Sequence, residues 1–235
     1  MLSPTITRSI VNPILDFLFP RTCLKCQILL PDDKQYVCET CWDSIERVHS
    51  HHALYKDTRR KLVEAGHVDS LVSCFVFTTD GAFQSLVHEM KYGKFEKLGV
   101  WLGGHLGEEI KRKGVHADYL IPIPLHKRKF RERGYNQAEL IARGVSGVTG
   151  VPVRTDLIRR QRFTETQTKL NIDERKKNME DAFELLPGME EDVRGKSVII
   201  IDDVITTGAT ISSCAEELKA AGAEHVVAAS LALAE

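Results

Sequence analysis

The sequence predicts an α/β fold, a parallel sheet flanked by helices, with a small four-cysteine module on its N-terminal side. Three observations carry this expectation. Apolar, β-branched runs alternate with helical stripes, the order that builds βαβ units. Near the C-terminus, SVIIIDDVITTGAT (197–210) joins a buried strand to two acids and a threonine–glycine turn. Near the N-terminus, the pairs Cys23/Cys26 and Cys38/Cys41 are separated by eleven residues. At 235 residues the chain can hold one substantial core and a small appendage. Its 43% hydrophobic and 28% charged content is that of an ordinary folded protein. A net charge of −1 excludes global attraction to nucleic acid or membrane, so either partner would need a local patch. No apolar run is long enough to cross a bilayer, and no secretory leader is evident, so the expected location is cytoplasmic.

The N-terminal elements come first. Ile6, Ile10, Val11, Ile14, Leu15, Leu18 and Phe19 make a helical stripe over 3–19, stopped by Pro20. Such a stripe could lie on a membrane surface. Its few basic residues favour docking against the protein body or a second copy in a homo-oligomer. Next, each CxxC pair forms a knuckle with both sulfurs aimed at one centre. Cys23, Cys26, Cys38 and Cys41 together offer the tetrahedral thiolate set of a structural Zn²⁺ site. Two disulfides or a redox CxxC are the alternatives. A reducing compartment favours metal, which would supply folding energy that this short polar segment lacks. Cys74 and Cys214 read as buried small residues.

Residues 46–68 carry His49, His51, His52 and His67 with weak periodicity. A metal-binding histidine cluster is one reading and a solvated linker the other, which is preferred. The expected domains are 1–48 for the N-terminal helix and four-cysteine module, 49–69 for the linker, and 70–235 for the α/β domain. Within the last, Leu71 to Phe77 reads as a strand, and Phe83, Leu86, Val87 and Met90 as a helix ending near Tyr92-Gly93. Leu98, Leu102, Leu106 and Ile110 form a second stripe, whose glycines at 99, 103, 104 and 107 suit close packing against a neighbour.

Tyr119 to Ile123 should be another strand, ended by Pro122 and Pro124. Behind it come His126, Lys127, Arg128, Lys129, Arg131 and Arg133, with Glu132 the only acid. Such density at a strand's C-terminal end is either an anion site or a solvated basic loop. Asn136 is placed to cap a helix carrying Ala138, Leu140, Ile141 and Val145. A second basic stretch, Arg154, Arg159, Arg160 and Arg162, leads into a polar segment, FTETQTKLNIDERKKN, that reads as a lid or a surface excursion.

The closing motif is the most informative. Val198 to Ile201 is a strand that would deliver Asp202 and Asp203 to the C-terminal edge of the sheet, where open α/β sheets bind ligands. Thr206, Thr207, Gly208, Ala209 and Thr210 would wrap a phosphate, using hydroxyls, amides at the helix start and the helix dipole. The acids suit sugar hydroxyls or a Mg²⁺ travelling with the ligand. A helix over about 208–221 and a strand at Val226 to Leu233 complete a right-handed βαβ unit.

An acidic pair followed by TTGxT resembles the phosphoribosyl diphosphate (PRPP) loop of type I phosphoribosyltransferases. The CxxC pairs in front of it make the whole resemble the ComF family. The carriers are FPRTCLKC, CETC, HEMKYGKFEKLG, IPIPLHKRKFRERGYNQAELIA, TETQTKLNIDERKKNMEDAF and IIIDDVITTGAT. The resemblance implies a type I phosphoribosyltransferase-like sheet. Asp202 and Asp203 would meet the ribose in a catalytic role, and Val204, Ile205, Thr206, Thr207, Gly208, Ala209 and Thr210 would hold the 5-phosphate. Pro124, Leu125, His126, Lys127 and Arg128 would hold the diphosphate. It also implies handling of single-stranded DNA in natural transformation, beside other competence proteins. Lys129, Arg131, Arg133, Arg159, Arg160 and Arg162 are the candidates for gripping that strand, with Phe130, Tyr135 and Phe163 for stacking. Three functions remain open: a transferase acting on a nitrogenous acceptor, a DNA-handling protein, and a PRPP sensor without turnover.

Overall fold

The computed structural model describes residues 20–93, 95–160 and 183–234. The expected helix at 3–19, Phe163, Arg162 and the polar segment leading on from them lie outside the described residues. Two short N-terminal helices are α1 (Glu39–Asp43) and α2 (Ala53–Glu64). Then follow β1 (Ser70–Phe77), α3 (Ala82–Tyr92), α4 (Glu96–Arg112), β2 (Tyr119–Pro122), α5 (Lys127–Arg133) and α6 (Gln137–Thr149). The chain continues with β3 (Ile158–Arg160), β4 (Phe183–Leu185), α7 (Glu190–Val193), β5 (Ser197–Ile205), α8 (Ala209–Ala220) and β6 (His225–Ala234).

The main sheet runs β1-β6-β5-β2, all parallel, as the alternation of strand and helix requires. Its strands read as continuous apolar runs because both faces are covered. Ile199, Ile201, Val227 and Ala229 face one core with Phe75, Leu86, Met90, Leu102 and Val145. Val198, Ile200, Val226 and Ala228 face the other with Leu62, Leu71, Phe183, Ile211 and Leu218. The strands β3 and β4 form a separate antiparallel pair, in which Arg160 stands opposite Phe183.

The cysteine module is not an isolated appendage. Cys23, Leu30, Val37, Cys38 and Ile45 belong to the first core. Trp42 meets Phe75 edge-on at 5.5 Å and Trp101 at 5.0 Å, so aromatic packing fastens the module to the sheet layer.

Two expectations change. Residues 49–69, read as a solvated linker, contain α2, which His52 caps through Leu54 N and which buries Tyr55, Thr58 and Leu62. Its periodicity was masked by charges on the solvent face. The basic stretch after β2, open between anion site and solvated loop, is mostly the helix α5. Lysine and arginine are good helix formers. His126 accepts from Arg128 N, and Gly134 ends the helix at φ 85°. The glycine expectation for α4 holds: a Cβ at Gly103 would collide with the Ile141 carbonyl, and one at Gly144 with that of Val100.

Candidate PRPP-type site and four-cysteine centre

Strand pairing builds the main site. The ends of β2 and β5 are neighbours: Pro122 pairs with Ile201, and Ile123 N donates to Ile201 O. The chain therefore leaves β2 at Pro124 beside the point where β5 presents Asp202 and Asp203. Strand β5 does not stop at Ile201 but carries both acids and runs on through Val204 to Ile205. Asp202 Oδ1 accepts from Asp203 N at 2.8 Å, and Asp203 Oδ1 from Val204 N at 2.7 Å, which fixes both carboxylates.

These acids line a cavity of about 200 Å³ with Thr210, Pro124, Leu125 and the cations Lys91, Lys129, Arg133 and Arg160. Arg133 donates to Gln137 Oε1 at 2.7 Å and stacks over Tyr92 at 5.2 Å. Arg160 lies over Phe183 at 5.3 Å. Arg160 Nε and Gln137 Nε2 are buried, with no hydrogen-bond partner among the described residues. Orphaned buried donors are costly, and a bound oxygen would satisfy them. Burial, aided by the neighbouring Asp203 charge, pushes the Asp202 carboxyl up to about 7. Burial lowers Arg160, against the pull of Asp202.

The loop between β5 and α8 carries the candidate phosphate residues 206–210, of which Thr210 lines the cavity. Thr206 and Thr207 are exposed, and Thr207 Oγ1 accepts weakly from Ala209 N at 3.4 Å. Gly208 caps α8 at φ 82°, a conformation that side chains other than glycine's disfavour. Its neighbour is Leu62 of α2, whose Cδ2 would stand 2.8 Å from an added Cβ. Ala209 and Thr210 open the helix, where first-turn amides and the dipole favour negative charge.

Of the other candidates, Lys129, Arg133 and Arg160 join Asp202, Asp203, Pro124 and Leu125 around the cavity. His126, Lys127, Arg128, Arg131 and Arg159 are not among its lining residues. Arg128 pairs with Glu132 at 3.0 Å, and Arg159 pairs with Glu184. Tyr135 is half-buried and donates to Met90 O at 2.6 Å, whereas Phe130 is 48% exposed. Sequence reasoning missed Lys91, whose Nζ lies 2.6 Å from Asp203 Oδ2. It also missed Gln137, whose local signal was only its place beside the Asn136 cap.

At the other end, Cys23, Cys26, Cys38 and Cys41 bring their sulfurs within 4.8 Å of one another, and all are unbridged. Cys26 and Cys38 sulfurs are 3.7 Å apart. A metal with ~2.3 Å bonds to four tetrahedral sulfurs needs about this separation. The cluster could hold a metal such as zinc. Burial opposes charge on Cys23, but amides of Cys26, Cys38 and Lys25 draw its thiol down to about 6. Burial and the neighbouring thiols push Cys41 the other way. The four histidines of 46–68 do not add to this cluster.

A parallel sheet whose strand ends present an acid pair, a threonine–glycine cradle and a basic helix is the architecture of a type I phosphoribosyltransferase. The phosphoribosyl transferase domain family matches residues 132–234. A DNA utilization protein, YhgH of Salmonella typhimurium, is 32% identical over 146 residues, covering 60% of this chain and 63% of that protein. Competence protein F of Haemophilus influenzae is 34% identical over 107 residues, 46% of each chain. Competence protein ComFC of Bacillus subtilis is 28% identical over 199 residues, covering 78% of this chain and 77% of that one. The chain is thus similar, over its C-terminal part, to phosphoribosyl transferase domains and, more widely, to competence and DNA utilization proteins of the ComF type. Its match spans less than two thirds of YhgH and less than half of competence protein F. No described helix is long and apolar enough to cross a membrane.

Proposed function

We propose that the chain binds PRPP across the C-terminal edge of the sheet. The observation that carries this reading is the cavity itself, in which two carboxylates, Thr210 and the orphaned Gln137 amide share the lining with four cations, one of which, Arg160, has an orphaned Nε of its own. The 5-phosphate fits the 206–210 cradle, where amides and hydroxyls donate to it. The ribose hydroxyls fall to Asp202 and Asp203. The diphosphate falls to Lys129, Arg133 and Arg160 rather than to Lys127 and Arg128. Guanidinium forks match its oxygens, and a half-buried setting strengthens each contact. The acid pair also suits Mg²⁺, which would neutralise part of the diphosphate's charge. If a nitrogenous acceptor takes the ribosyl group, these cations stabilise charge building on the departing diphosphate. A chain that binds PRPP and never consumes it would instead be a sensor.

The physiological setting we infer is DNA uptake, with single-stranded DNA as a partner in the cytoplasm. The competence and DNA utilization names of the relatives support it. So does the outer face of α5, where Phe130 and Arg131 are exposed beside Lys129. Base stacking on Phe130 with phosphates on Arg131 is the expected contact. Structural zinc in the four-cysteine centre completes the reading.

Calorimetric titration with PRPP, with and without Mg²⁺, tests the site. Wild type should bind, and the double variant Asp202→Asn, Asp203→Asn should lose about tenfold or more in affinity. Equal binding by the two proteins rejects the assignment. A panel of acceptors then separates transferase from sensor by release of diphosphate.

A further inference from the structure

We propose that Lys91 is an exchangeable counterion of the acid pair, one that makes the site select a sugar diphosphate over a sugar monophosphate. The inference rests on the reading that the cavity takes PRPP.

Lys91 stands in the last turn of α3, and its ammonium lies 2.6 Å from Asp203 Oδ2. The contact is partly shielded, with side-chain exposures of 24% for the lysine and 14% for the aspartate. Asp203 has no other ion-pair partner among the described residues. The lysine end of the pair is anchored from outside the helix, since Tyr135 OH donates to Met90 O and Arg133 stacks on Tyr92. The chain is thus tied next to Lys91 through the Met90 carbonyl and the Tyr92 ring, while the four-carbon stem of Lys91 is itself flexible.

Lys91 lines the same cavity as Lys129, Arg133 and Arg160. It therefore has two partners within its reach, the carboxylate it now holds and any anion the other three cations collect. In the unliganded chain it offsets the repulsion between Asp202 and Asp203. A divalent cation or ribose hydroxyl arriving at Asp203 competes for the same oxygen. A displaced ammonium in a half-buried cavity needs a new anion, and the diphosphate group supplies one. Ribose 5-phosphate fills the cradle and the carboxylates but brings no such anion, so it must break the ion pair without compensation. Lys91 thereby raises the cost of the monophosphate and strengthens the hold on the diphosphate.

The test compares PRPP with ribose 5-phosphate by calorimetry, in the presence of Mg²⁺, on wild type, Lys91→Gln and Lys91→Arg. The expected result for Lys91→Gln is PRPP affinity reduced about tenfold, with ribose 5-phosphate affinity unchanged or raised. Lys91→Arg should keep most of the preference for PRPP. A second readout is Mn²⁺ binding without sugar, followed by electron paramagnetic resonance. It should be stronger in Lys91→Gln than in wild type because Asp203 is freed. An unchanged ratio of PRPP to ribose 5-phosphate affinity in Lys91→Gln overturns the inference while leaving the site reading intact. Failure of wild type to bind either sugar removes both. Circular dichroism melts show whether the variants are folded, and Lys91→Arg carries the comparison if Lys91→Gln is not.

Discussion

In the N-terminal module four sulfurs lie within 4.8 Å of one another, and in the cavity two adjacent carboxylates share one strand end. Both regions crowd groups that repel when ionised, and they answer the repulsion differently. The cavity contains its own cation, with Lys91 on Asp203, and it keeps Asp202 partly protonated near neutrality. The sulfurs contact one another and backbone amides, as Cys38 N donates to Cys23 Sγ at 3.4 Å. The lesson is one of division of labour. Four sulfurs with no cation beside them among the described residues suit a closed site that a metal could complete, whereas carboxylates with a lysine already beside them can exchange it for a ligand.

The comparison breaks most visibly if the ion is withheld. Cys38 is buried in the first core, so Cys38→Ser or stripping with chelator should loosen the module from Trp101 and Phe75. The expected loss is ~4–5 kcal/mol of stability, with bound metal falling from about one per chain to none. Metal analysis beside thermal melts checks this, and an unchanged melt after stripping would mean that aromatic packing alone holds the module.

Gly208→Ala perturbs the cavity side through backbone. The residue would have to hold φ 82° with a side chain pressed against Leu62. A cost of ~1–3 kcal/mol is expected, together with weaker PRPP binding. Calorimetry showing wild-type affinity would remove the loop from the site.

The acid pair should also leave a signature in pH. Asp202 is raised from 3.8 to about 7, so folding takes up a proton between those values. The stabilisation by the protonated form is complete below 3.8 and is lost as pH rises to about 7. Melting temperature of the unliganded chain should therefore carry a falling component across this window, and Asp202→Asn should abolish it. A ligand that needs the ionised carboxylate binds more tightly as pH climbs toward about 7, releasing a proton that calorimetry in different buffers counts.

The smallest effect sharpens the boundary between the cavity and α5's outer face. Arg131→Ala should leave PRPP affinity unchanged and lower the salt slope of single-stranded DNA binding by ~0.7. Arg133→Ala should weaken both ligands. An Arg131→Ala variant with wild-type DNA binding would take that face out of the interface.

The parts of this molecule legible in its sequence are those whose cause is local. The β5 run, its two acids, Gly208 and the Asn136 cap sit within a few residues of the partners that explain them. Asn136 Oδ1 accepts from Ala138 N, as its position indicates. The CxxC pairs were legible because each knuckle is short, although their attachment to the sheet was not, since Trp42 meets Trp101 from far along the chain. Lys91 was invisible for the same reason, because nothing near HEMKYGKF points to Asp203. Helices α2 and α5 were hidden by charge density, which reads as solvation until a buried face or a cap is found.

The crossing of α4 and α6 has a mechanical corollary. Gly103 and Gly144 let two backbones touch with no side chain between them, and α6 begins at Gln137, on the cavity wall. A seam of main chain against main chain has no soft side-chain layer to absorb movement. The cavity wall is thus braced by the outer helix layer, and even one methyl group inserted at that seam would be transmitted along α6 as a displacement of the ligand-facing edge.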